Sequence, residues 1–147
     1  MMIELKVLAY IALALVLGGL IGLERELADK PAGLRTHMLV AGAATFLTSI
    51  GEILVANLDV AQTLIRSDPI RIIEAIITGI SFLGAGTIIR HRSENEVEGL
   101  TTAASLLFAA AIGIGIAEEQ FILAGGSVLL ILLTLRVLKY VQNRWLA

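Results

Sequence analysis

The chain of 147 residues contains no cysteine, which excludes disulfide frameworks and thiolate metal sites. Charge is scarce as well: Asp, Glu, Lys and Arg make up 16% of residues, against about a quarter in soluble domains. The balance of −2 gives no basic footprint, so nucleic-acid binding has nothing to start from. No nucleophile–base pair, phosphate loop or His/Asp metal cluster is legible along the chain, and catalysis has no support. What is abundant is apolar: 57% hydrophobic residues, with 14 glycines besides. A soluble domain of this size buries only about 70% of the surface its chain exposes. That is too little to hide so much apolar surface, and the sequence reads as an integral, all-α membrane protein.

A membrane-crossing helix needs about 20 mostly apolar residues. Five stretches qualify, near 7–23, 36–55, 69–89, 99–117 and 121–138. The connections between them are short, so residues 1–147 are expected to form one multi-pass helical domain with no soluble domain after the last span. The first apolar run ends in Glu24-Arg25-Glu26 without a small-residue cleavage site, and it is expected to be retained. Eight of the eleven lysines and arginines, from Arg25 to Arg144, fall at span ends that share one side. By the positive-inside rule this places the N-terminus outside and the C-terminus in the cytoplasm.

Between helices in lipid there is no hydrophobic drive, so small residues that let backbones approach carry the packing. Gly18-x-x-x-Gly22 marks the first span and Ala75-x-x-x-Gly79 the third, where Gly84 and Gly86 follow. Ser105, Ala109, Gly113 and Ala117 recur every four residues in the fourth. These faces suit packing within the chain, or a homodimer seam. A shift of 66 residues also aligns Leu17-Gly18 with Leu83-Gly84, and Gly33-Leu34-x-Thr36 with Gly99-Leu100-x-Thr102. Such a match fits two helical hairpins running the same way through the bilayer.

The most polar region is the first hairpin, with Glu24, Arg25 and Glu26 before the turn and Arg35, Thr36 and His37 after it. Acidic groups at a helix C-terminus need a cation nearby. That cation is Arg25, Lys30 or Arg35 of the same hairpin, or Mg2+ on Glu24 and Glu26, and a direct Glu24–Arg35 contact is expected. His37 alone is too little for a metal or catalytic site. Asp68-Pro69-x-Arg71-x-x-Glu74 opens the third span as N-cap, first helical residue and one-turn ion pair. An intramembrane glutamate is also a pathway candidate. Thr101 and Thr102 are expected to cap the fourth span, with Ser105 one turn on.

Taken together, these motifs resemble the membrane domain of the MgtC/SapB family. The residues that carry the likeness are Gly19-Leu-Ile-Gly-Leu-Glu-Arg-Glu26, Pro31-Ala-Gly-Leu-Arg-Thr-His37, Asp68-Pro-Ile-Arg-Ile72, Gly79-Ile-Ser-Phe-Leu-Gly-Ala-Gly86 and Gly99-Leu-Thr-Thr-Ala-Ala-Ser105. The resemblance implies a non-enzymatic protein of the cytoplasmic (inner) membrane, tied to magnesium or membrane-energy homeostasis. It implies action through another membrane complex, such as the F-type ATP synthase. The rival expectation is a small Mg2+ transporter or channel. Glu74 stands where the family commonly has Gln, and Leu107-Phe108 shifts an aromatic by one position.

Overall fold

The computed structural model describes residues 2–56, 69–90 and 97–145. It contains five helices: α1 (Met2–Leu27), α2 (Leu34–Ala56), α3 (Pro69–Gly86), α4 (Leu100–Ala117) and α5 (Phe121–Trp145). The all-α architecture expected from hydropathy is the one observed. By length and composition α1, α2 and α4 can each cross a membrane, and α5 begins with the apolar stretch Phe121–Val137. A short antiparallel ribbon, β1 (Ile89–Arg90) with β2 (Val97–Glu98), joins α3 to α4. The third helix stops before the expected residue 89. Thr87 N–H and Oγ–H both donate to the Gly84 carbonyl, at 2.9 and 2.7 Å, and close it. It runs unbroken through its glycines.

Small residues decide which helices meet. Gly22 lies against Gly33 and Leu34, Gly18 against His37 and Ala41, and Gly42 against Leu15 and Ile11, so α1 and α2 are antiparallel. A Cβ on Gly18 would come within 2.6 Å of the His37 carbonyl oxygen. Helices α2 and α4 run parallel, because His37 meets Ser105 and Thr45 meets Gly113. The core is accordingly built of small and branched residues, including Ala14, Ile21, Ala41, Ala44, Leu106, Ala109, Ala110 and Ile116. Shifting the Gly18–His37 contact by 66 residues gives Gly84–Ala103, which is also a close contact. The hairpin α1–α2 thus recurs in α3–α4.

The small-residue faces differ in fate. Ser105, Ala109, Gly113 and Ala117 are all buried within the chain. A side chain on Gly113 would run into the Ala41 carbonyl. The α4 face, like Gly18-x-x-x-Gly22, packs within the chain, the first of the two uses expected of these faces. Gly79 and Gly86 are the opposite case: a Cβ on either would meet nothing within 4 Å among the described residues. Neither is an internal packing position among the described residues.

Both sharp turns close in the same way. At the end of α1, Lys30 N–H reaches the Arg25 carbonyl at 3.0 Å and Asp29 N–H the Glu26 carbonyl at 3.1 Å. After α4, Gln120 N–H bonds the Gly115 carbonyl and Glu119 N–H the Ile116 carbonyl. This paired pattern calls for a left-handed residue, usually glycine. Here Asp29 (φ 57°) and Glu119 (φ 60°) take that position. Lys6 of α1 pairs with Glu119 at 2.5 Å, and Tyr10 meets Phe121 edge-on, which seats the α4–α5 turn beside the start of α1.

Candidate functional site

Polar side chains gather where the end of α1 meets the starts of α2 and α4. Glu24, Arg25, His37, Thr102 and Ser105 are all buried there. One oxygen of the Glu24 carboxylate accepts from Arg25 Nε at 2.6 Å and pairs with its terminal nitrogen at 2.5 Å. Adjacent residues on a helix do not ordinarily face each other. Both side chains fold toward the interior, 7% and 4% exposed, and the charges neutralise one another where water is excluded. This corrects the expected Glu24–Arg35 contact. Arg35 and Thr36 are exposed, because the face of α2 that turns inward is the one carrying His37 and Ala41.

His37 is fully buried and joins three segments. Its Nδ1–H donates to the Gly33 carbonyl at 2.9 Å, since a carbonyl can only accept. Its Nε2 lies 2.9 Å from the Ser105 hydroxyl, and that hydroxyl also lies 2.8 Å from the Thr102 carbonyl. The single Ser105 proton lies between the Thr102 carbonyl and Nε2 of the ring, and the helices α2 and α4 are tied through their interiors. A serine beside a histidine has the shape of a nucleophile–base pair. Here Ser105 is buried in the helix interface with a backbone acceptor beside it, the arrangement of a structural tie. Eight residues further along α2, Thr45 Oγ–H repeats the device, lying between the carbonyls of Ala41 (3.0 Å) and Gly113 (2.8 Å).

Glu26 points elsewhere. Its carboxylate accepts the Leu34 N–H at 2.7 Å and covers Gly33, capping the start of α2 from the neighbouring helix. Glu24 and Glu26, two residues apart, sit about 200° apart around α1. Each has protein donors, so they do not converge as a metal pair. Among the described residues no group of three His, Asp or Glu stands close enough to hold a metal ion.

The remaining sequence candidates are distributed differently from expectation. Helix α4 begins at Gly99 (φ 90°) with no side-chain cap, so Thr101 is exposed and Thr102 is buried rather than capping. Only glycine fits there, because a side chain would meet the Thr87 carbonyl. Arg71 and Glu74 are both exposed, and among the described residues no ion pair joins them. Asp68 lies outside the described residues. The His37–Ser105 tie was missed by sequence reasoning. Its only signal was the four-residue stripe through Ser105, which announced a close neighbour without identifying it.

Comparison with known proteins finds one family. The model of the MgtC family matches residues 11–144. The chain is 36% identical over 142 residues to Protein SapB of Bacillus subtilis, covering 97% of this chain and 60% of that protein. It is 44% identical over 109 residues to Protein MgtC of Brucella abortus, covering 72% and 40%. It is 41% identical over 128 residues to the Putative magnesium transporter YhiD of Escherichia coli, covering 85% and 57%. The chain therefore spans less than two thirds of the length of these relatives. No solved structure matches it.

Proposed function

Because this chain belongs to the MgtC family, we propose that it is a non-enzymatic membrane protein of magnesium or membrane-energy homeostasis that acts by docking to another membrane complex. The observation that carries the docking reading is the α1–α2 turn. Its backbone is closed by the Asp29 and Lys30 N–H groups on the Glu26 and Arg25 carbonyls, by Glu26 on Leu34 and by His37 on Gly33. Yet Lys30, Pro31, Arg35 and Thr36 stand exposed on it. A rigid charged surface binds with little loss of conformational entropy. The lysine and arginine bias puts this turn on the cytoplasmic side of the cell membrane. By family resemblance, the F-type ATP synthase is the first partner to test.

The test is a photo-crosslinking residue at Arg35, irradiated in native membranes. The expected result is a discrete adduct with a second membrane protein, weakened when His37→Ala loosens the turn. Adducts to lipid or to the chain itself, and nothing else, oppose the reading. The second reading is transport of Mg2+ and is favoured by the name of the Escherichia coli relative. With five helices among the described residues, it needs a route between copies.

A further inference from the structure

An apolar recess lies between α2 and α3, a cavity of about 790 Å³ open at the side. Leu47 and Leu54 form one wall, while Ala75 and Gly79 keep the floor low. Among the described residues that line it Arg71 alone carries a charge, and it stands at one end. From Arg71 to Leu83, at the other end, α3 advances twelve residues, about 18 Å at 1.5 Å per residue. One leaflet of the hydrocarbon core is about 15 Å thick, half of the 30 Å total. The recess therefore has the length of one leaflet, with a cation where headgroups lie. We propose that it is a binding site for one anionic phospholipid, its phosphate on the Arg71 guanidinium and an acyl chain laid along Ala75 and Gly79 toward Leu83.

The chemistry fits a lipid better than a second copy of the chain. A guanidinium binds phosphate through a planar fork of donors. A helix entering the same recess would have to bring an acidic residue to Arg71 and remain apolar below it. Gly79 offers a clean probe, since a side chain there would enter the recess without meeting protein atoms within 4 Å of its Cβ.

The experiment is native mass spectrometry of the full chain released from nanodiscs of equal phosphatidylglycerol and phosphatidylcholine. The wild-type chain is expected to retain the anionic lipid with at least about fivefold preference, the factor one basic group contributes at a membrane surface. Arg71→Gln should equalise the two lipids, and Gly79→Leu should reduce retention of both while helicity is unchanged. Equal retention by the wild type, which needs no variant, overturns the proposal. So does a preference that survives Arg71→Gln, or unchanged retention in Gly79→Leu. Loss of a dimer in Gly79→Leu with lipid retention unaltered assigns the recess to a second copy and also overturns it.

Discussion

Removing one member of the Glu24–Arg25 pair strands the other charge in a site that excludes water. Arg25→Ala should therefore cost about 3–5 kcal/mol, the usual consequence of breaking a buried pair. The double replacement Glu24→Gln with Arg25→Gln should cost less than Arg25→Ala alone, and thermal unfolding in mild detergent measures both. Asp29 holds a left-handed conformation that disfavours a side chain. Asp29→Gly should raise stability by up to about 1 kcal/mol, checked in the same assay. At the opposite turn, the Lys6 ammonium bonded to Glu119 holds that carboxyl below the usual carboxylate range. The folded value lies under the unfolded one, so the pair's contribution is in place above about pH 4.3 and fades as pH falls through the folded value. Both partners are about half exposed, so salt screens the effect. An NMR titration of the Glu119 carboxyl should move upward in Lys6→Gln. Glu24, Arg25 and His37 were legible as a polar cluster from their neighbours in sequence. Their partners were not, because pairing depends on which face of each helix turns inward.

At the scale of elements, close approach of backbones governs what a substitution does. Gly113→Ala places a methyl against the Ala41 carbonyl, a backbone atom that cannot yield without parting α2 from α4. Loss of the folded bundle is expected, seen as lost helicity and aggregation on size exclusion rather than as a clean monomer. Gly79→Leu meets no protein atom near its Cβ and replaces glycine within a helix, so stability should hold or rise slightly. The helices were legible because long apolar runs have few alternatives in lipid. The ribbon Ile89–Arg90 with Val97–Glu98 was not, since two-residue strands leave no periodic pattern. The α4 stripe announced a tight interface, yet its partner emerged only from the fold. Its pairing with α2 runs at an offset of 68 residues, from His37 to Ser105 and from Thr45 to Gly113, near but not equal to the repeat of 66.

At the scale of the whole molecule, the polar side chains at the α1–α2–α4 junction are turned inward upon one another, and the larger recesses are lined mainly by apolar side chains. Such a body holds a charged turn and exposes apolar flanks, the two features on which the proposed docking role rests. Purified protein in liposomes loaded with a Mg2+-sensitive dye tests this most directly, under an inward Mg2+ gradient. The account predicts entry no faster than in protein-free vesicles. Entry that rises with protein density and disappears in Arg25→Ala or His37→Ala, with the fold retained, would contradict it and make the protein a transporter.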